Sequence, residues 1–164
     1  MTLVTNAEYH RGTTTVKQQR TTFLHDGAFL EAIKASTSEM DECDVVVPRR
    51  HVAEFVLFSK ELQEKYAIRI RSFGHAGDGN LHIYVLRDNL AEQEWKEKLE
   101  TVFRELYGKA RTLGGKVSGE HGIGYAKKPY LADSLDRNAL ALMAGIKKVF
   151  DPNNILNPSK VAMP

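Results

Sequence analysis

Two runs of alternating character, Ile68 to Phe73 and His82 to Leu86, flank the segment Gly74-His75-Ala76-Gly77-Asp78-Gly79-Asn80-Leu81. Alternation at period two marks strands with one buried face, and a glycine-rich link between two of them confines the chain to an antiparallel hairpin. Ile70, Ser72, Ile83 and Val85 then fall on the core side, while Arg69, Arg71, His75, His82 and Tyr84 share the other face. With a loop over Ala76 to Leu81, the pairing sets His75 opposite His82, Phe73 opposite Tyr84 and Arg71 opposite Leu86. Directly opposed residues have Cβ atoms about 4.5–5.5 Å apart. Two imidazoles so placed can hold one ion at about 2.0–2.1 Å from each nitrogen.

A second glycine-histidine segment, Ser118-Gly119-Glu120-His121-Gly122-Ile123-Gly124, follows later, so the two segments, the first taken through His82, hold half of the six histidines. Glycine loses more backbone freedom on folding than any other residue, so two such turns need a local reason, either positive φ or close approach of a ligand. Imidazole is the commonest metal ligand and titrates nearest neutral pH. His75, His82 and Glu120 supply two nitrogens and a carboxylate, an open set that leaves a position for water or substrate. On a loop bounded by Gly119 and Gly122, Glu120 can face an ion while His121 faces a substrate proton as general base. Phosphate binding is the rival reading of these glycines. Neither segment contains the Gly-Lys-Ser/Thr of a P-loop or G-x-G-x-x-G in order.

A chain of 164 residues fits one domain with a real core, and 42% hydrophobic with 27% charged residues is ordinary for a soluble globular protein. The net charge of +2 argues neither for nor against nucleic acid, but the absence of a block of five or six basic residues makes it a poor fit. Cys43 is the only cysteine, which excludes an internal disulfide and a cysteine-based zinc cluster and suits a reducing compartment. Met1 to Thr22 is rich in Thr, Gln and Arg and offers no signal peptide or transmembrane segment, so any membrane association runs through a partner.

The remaining elements follow from periodicity. Ala28 to Ser36 reads as a short helix, and Asp44-Val45-Val46-Val47-Pro48 as a strand closed by proline. Arg50 to Tyr66 places Val52, Phe55, Val56, Phe58, Leu62 and Tyr66 near one helical face. Ala91 to Leu113 carries an apolar stripe through Trp95, Leu99, Val102, Phe103, Leu106 and Ala110, and Gly114-Gly115 caps it. Lys116 to Ser118 is a short extended piece. Asp136 to Phe150 is a further helix with Leu140, Met143, Ile146 and Val149 facing inward; Ile155 to Pro164 is a tail. The order gives an α+β domain, a largely antiparallel sheet with helices packed on one face and ferredoxin-like elements.

Three ordered motifs carry a family resemblance: Gly74 through His82, Gly114-Gly115 with Ser118 through Gly124, and Lys148 through Pro152 with Ile155-Leu156-Asn157-Pro158-Ser159-Lys160. Asp44 to Arg49 matches a further segment. The chain resembles the C-terminal domain of FAD-linked oxidases of the vanillyl-alcohol oxidase class, such as glycolate oxidase flavin subunits and D-lactate dehydrogenases, over about residues 40 to 162. The resemblance implies an α+β domain that works beside a separate flavin-binding domain. It implies that His75, His82 and Glu120 bind a divalent metal, zinc, manganese or iron, which orients a small 2-hydroxy acid. It makes His121 the base that takes the hydroxyl proton while hydride passes to FAD, and sets Asn157 near the flavin.

Departures from the family pattern bear on the substrate. Relatives place an arginine for the substrate carboxylate where Ile33 stands here, which leaves Arg69 or Arg71 as the substitute clamp. Tyr84 stands where some relatives have a polar amide, so it joins the substrate-binding set. Ser159 replaces a usual glycine. Nothing in the chain resembles the flavin-pyrophosphate loops, so the reading divides it into a partial segment over residues 1–40 and the C-terminal domain over 41–164. The flavin-binding domain is absent, so the isolated chain is expected to be inactive, either as a fragment or as half of a split enzyme. Its partners would be that flavin-binding domain, the 2-hydroxy acid and an electron-transfer subunit, in the cytoplasm or peripheral to the inner membrane. The alternative is a non-enzymatic metal-binding or subunit-interaction domain with purely structural glycine turns. His121 discriminates the two, being unliganded and open in the enzyme and packed away in the alternative.

Overall fold

The structure, a computed structural model, describes residues 28–160. Residues 1–27 of the expected N-terminal segment and the last four residues of the tail lie outside the described residues. Three strands, β1 (Met40–Val46), β2 (Arg69–His75) and β3 (Asn80–Leu86), form one sheet in the order β1-β3-β2. β3 is antiparallel to both neighbours, so β1 and β2 run parallel with β3 between them. The first helix covers residues 28–35 (α1), and α2 (Val52–Tyr66) makes the crossover from β1 to β2. This is a split β-α-β arrangement, and the α+β expectation holds.

The central strand explains the core. Every residue of β3 is buried, and Ile83 and Val85 meet Cys43, Val45 and Ile70 on the face covered by α2 and by α3 (Glu92–Thr112). Phe55 and Leu62 of α2, with Trp95, Val102 and Leu106 of α3, are almost completely withdrawn from solvent. Burying one such side chain is worth about 1.5–3 kcal/mol, so the stripes read from periodicity are the main adhesive here. α2 stops at Ala67, whose left-handed φ of 46° turns the chain into β2. α3 stops at the glycine pair, with Gly114 at φ +78° and Gly115 N–H donating to Ala110 at 2.8 Å. On the opposite face, Phe29, Leu30 and Ile33 of α1 pack against Phe73, Tyr84 and Leu86. The helices α2 and α3 thus share one face as expected, and α1 covers part of the other.

Four expectations are corrected. The hairpin register is shifted by two residues: Phe73 pairs with His82, Arg71 with Tyr84 and His75 with Asn80. The loop is Ala76 to Gly79, because Gly79 at φ +76° lies against the β1–α2 junction, where Val47 N–H donates to its carbonyl at 2.9 Å. A Cβ on Gly79 would sit 2.0 Å from Val47 O. A shift of two preserves the faces, so the core side was read correctly. Second, β1 begins at Met40 rather than Asp44. Third, a short helix α4 (Lys128–Ser134) was missed; Pro129 reads as a breaker but occupies the first turn, where its missing N–H costs nothing. Fourth, α5 (Arg137–Phe150), capped by Asp136 accepting from Ala139 N–H at 2.7 Å, buries none of its residues. Leu140 and Met143 are partly covered, but Ile146 and Val149 are 61% and 77% exposed.

Candidate metal centre

Glu42 and Asp44 of β1, His82 and Tyr84 of β3 and His75 of β2 lie on the sheet face opposite Trp95 and Leu106, with Asp44 paired to His82 and Glu42 to Tyr84. The second glycine-histidine segment is delivered beside β1 because Val46 and Lys116 exchange backbone hydrogen bonds at 2.8 and 3.2 Å.

Asp44 then organises that segment. Its carboxylate is wholly buried and accepts from the Ser118 hydroxyl at 2.7 Å and from the backbone N–H groups of Gly119, Glu120 and His121 at 3.1, 3.3 and 3.0 Å. Lys127 Nζ lies 3.3 Å away. A buried carboxylate is tolerated only when its charge and lone pairs are met. Burial alone would push this carboxyl up, but the Ser118, His121 and Glu120 hydrogen bonds and the Lys127 charge outweigh it and hold it down at about 2. Gly119 is the close approach in the turn: a Cβ there would fall 1.9 Å from Asn80 Oδ1, a buried atom with no hydrogen-bond partner among the described residues.

Glu120 Oε1 is 2.9 Å from His82 Nε2 and 3.9 Å from His75 Nε2. One ligand atom from each of His75, His82 and Glu120 lies within 4.8 Å of the others. Ligands each about 2.0–2.2 Å from a tetrahedral ion stand roughly 3.4 Å from one another, so the observed spacings bracket what a single ion needs. The donor set, two imidazoles and one carboxylate, suits zinc, manganese or ferrous iron. The residues fit a divalent metal. The His75 and His82 rings meet edge-on at 6.0 Å between centroids, diagonally rather than directly opposed.

Glu42 closes the other side. Its Oε1 is 2.7 Å from His82 Nδ1 and 3.2 Å from His121 Nδ1, and the carboxylate also pairs with Tyr84. Burial opposes ionisation of Glu42, yet the His82, His121 and Tyr84 contacts hold its carboxyl below the usual range. Burial likewise opposes a charge on His82, but Glu42, Asp44 and Glu120 surround it and raise its pKa. The Tyr84 hydroxyl is pushed up by burial and by Glu42. His121 is 47% exposed at its side chain, and its Nε2 is 3.9 Å from Glu120. It is the open imidazole of the cluster.

The structure thus brings His75, His82, Glu120, His121 and Tyr84 together. Arg69 is elsewhere: it pairs with Leu86 at the far end of the hairpin, four residues or about 13 Å along the strand from Phe73. Its guanidinium is held by Asp88 and by Ser36 O. Arg71 donates to Gln63 of α2 at 3.2 Å and to its neighbour's carbonyl at 2.8 Å. Asn157 lies in the exposed tail at φ 47°, and its backbone carbonyl accepts from Lys160 N–H at 3.3 Å. Glu42, Asp44 and Lys127 were not read from the sequence. Their signal was two acids at i and i+2 leading into a β-branched run, where acids are otherwise depleted.

The chain belongs to the family of the C-terminal domain of FAD linked oxidases, matched over residues 4–161. It is 51% identical over 135 residues to a D-lactate dehydrogenase of Anaerostipes hadrus, covering 82% of this chain and 28% of that protein. It is 43% identical over 118 residues to glycolate oxidase subunit GlcD of Bacillus subtilis, covering 72% of this chain and 25% of the relative. A D-lactate dehydrogenase of Archaeoglobus fulgidus is 38% identical, over 90% of this chain and 32% of its own length. The chain therefore spans about a quarter to a third of these relatives. The crystal structure of p-cresol methylhydroxylase shares the fold, with a TM-score of 0.55 at 20% identity over 76% of this chain and 24% of that one. Among the described residues no helix is long and apolar enough to cross a membrane.

Proposed function

We propose that this chain is the substrate- and metal-binding part of an FAD-dependent oxidoreductase that converts a small 2-hydroxy acid, of the glycolate or D-lactate type, to the 2-oxo acid. The observation that carries the reading is the convergence of His75, His82 and Glu120 around one point, with the open imidazole of His121 beside them. The names of the relatives support the substrate class. A divalent ion held by His75, His82 and Glu120 would bind and polarise the substrate hydroxyl, and FAD, bound mostly by polypeptide outside this chain, would accept the hydride.

The chain's own residues do the rest. Glu42 at Nδ1 leaves the Nε2 of His121 as the site that takes the hydroxyl proton. Tyr84, packed at 5.3 Å on Phe73, bounds the site on the side of α1. Asp44 and Gly119 hold the segment so that Glu120 and His121 approach from the same side. Arg69 and Arg71 remain proposed carboxylate clamps, and either must leave its present partners to serve. Asn157 remains a proposed flavin contact. An electron-accepting partner, reached through the flavin part, belongs to the same reading.

The half-open position of His121 is what favours an enzyme over a domain with purely structural turns. The experiment is elemental analysis and calorimetric titration of the purified chain with a divalent metal, followed by titration with D-lactate or glycolate. Stoichiometric metal, lost in His75→Ala/His82→Ala, and hydroxy-acid binding only to the metal-loaded form are expected. Unchanged metal content in the double variant overturns the ligand assignment. The purified chain is expected to be colourless, and stoichiometric flavin absorbance would contradict the division of labour proposed here.

A further inference from the structure

We infer that Glu42 is the positioning residue of this site, a single carboxylate oxygen that fixes the ring orientation and tautomer of both the ligand His82 and the base His121. The inference deepens the reading above and rests on it for the two roles. Its geometry stands by itself. Glu42 Oε1 lies 2.7 Å from His82 Nδ1 and 3.2 Å from His121 Nδ1, and the carboxylate also meets Tyr84. The two rings lie 5.0 Å apart at 31°, nearly side by side, as a shared acceptor requires.

The consequence is chemical. An ionised carboxylate has no proton to give, so the Nδ1 facing it carries the single hydrogen of a neutral ring and leaves Nε2 bare. At His82, where the Glu120 carboxylate faces Nε2 at 2.9 Å, Glu42 keeps that hydrogen because it is closer, at 2.7 Å, and less exposed. For His82 the bare Nε2 points at Glu120 Oε1, 2.9 Å away, on the side where His75 also stands. For His121 the side chain is 47% exposed and its Nε2 stands 3.9 Å from Glu120, beyond hydrogen-bond distance. One oxygen thus makes one imidazole a metal ligand and its neighbour a proton acceptor. A carboxylate behind a ligating histidine is the usual means of fixing a tautomer and raising ligand basicity. The same carboxylate serving the base as well ties its orientation to that of the metal ligand.

Placement explains why Glu42 can do this. β1 is an edge strand, and Glu42 pairs with Tyr84, directly beside the Asp44–His82 pair. Asp44, two residues along the same face, is fully occupied by the 118–121 backbone. Two acids on one strand therefore divide the work. Asp44 holds the backbone that carries Glu120 and His121, and Glu42 aims the rings.

The test uses the 164-residue chain and two readouts. Long-range proton–nitrogen NMR correlations at alkaline pH, where both rings are neutral, report which nitrogen carries the hydrogen. Zinc or manganese titration calorimetry reports affinity. The unaltered chain is expected to show Nδ1–H at His82 and His121. Glu42→Ala should shift both towards the Nε2–H form that a free imidazole side chain favours and weaken metal binding about 10–100-fold. Glu42→Gln, whose amide oxygen still accepts, should recover Nδ1–H on at least one ring and part of the affinity. Sheet amide shifts in both variants check folding, and if Glu42→Ala does not fold, Glu42→Gln against the unaltered chain carries the test. Unchanged tautomers in a folded Glu42→Ala overturn the inference even if metal still binds. Shifted tautomers in a chain that binds no metal sustain Glu42 as the aiming residue and overturn the metal reading instead.

Discussion

The helices α3 and α5 both show apolar residues at helical spacing, yet they end in opposite environments. α3 buries Trp95, Val102, Leu106, Tyr107 and Ala110 against the sheet, while α5 buries nothing among the described residues and leaves Val149 and Phe150 77% and 80% exposed. Periodicity reports that a face is apolar; whether its covering surface belongs to the same chain is a tertiary fact. The stripe of α3 packs on the sheet at β1 and shares its core, and this chain supplies both. The face of α5 continues into exposed Ile155 and Leu156, in a chain that spans about a quarter to a third of its relatives.

The largest effect that can break this contrast is a truncation in the α3 stripe. Leu106→Ala, at a fully buried position, is expected to cost about 2–5 kcal/mol in urea unfolding. A loss comparable to a surface substitution would mean that α3 is not the anchor of the core. Next comes acid. Asp44 has its carboxyl lowered from 3.8 to about 2, so its stabilisation is fully present above the unfolded value and is lost as pH falls through the folded one. About 2 kcal/mol should therefore disappear between roughly pH 4 and pH 2, a slope that Asp44→Asn removes. The cap of α5 is smaller: Asp136→Ala should cost about 1 kcal/mol, and hydrogen exchange should show the loss confined to residues 137–150. Smallest of all, Val149→Ser should lie within about 0.5 kcal/mol. A loss of the α3 size at Val149 would show that the α5 face is covered in the chain after all.

Most of the scaffold was legible in the sequence because it is written in local periods. β2, β3, α2 and α3 each combine an unambiguous period with a clear stop, and Gly114-Gly115 ends α3 as expected. The register slipped by two because it depends on Gly79 meeting Val47, a contact between segments that no local pattern announces. The faces survived, since a two-residue slip keeps each side chain on its side. The histidines and Glu120 were legible as chemistry set among glycines, and the structure brings them together. Glu42 and Asp44 were not: acids at the head of a strand read as its solvated end, and only the sheet order places them under the second glycine-histidine segment. Arg69 and Arg71 shared the predicted face in parity but not in reach, Asp88 and Gln63 having drawn their guanidiniums elsewhere.

Crystals grown with a divalent metal and measured at its absorption edge test the central claim most directly. The account predicts one anomalous peak about 2.0–2.2 Å from the Nε2 atoms of His75 and His82 and from a Glu120 carboxylate oxygen, with His121 outside the coordination sphere. A peak bound by Glu42 and His121 instead, or no peak at a metal concentration that saturates calorimetric binding, would contradict it.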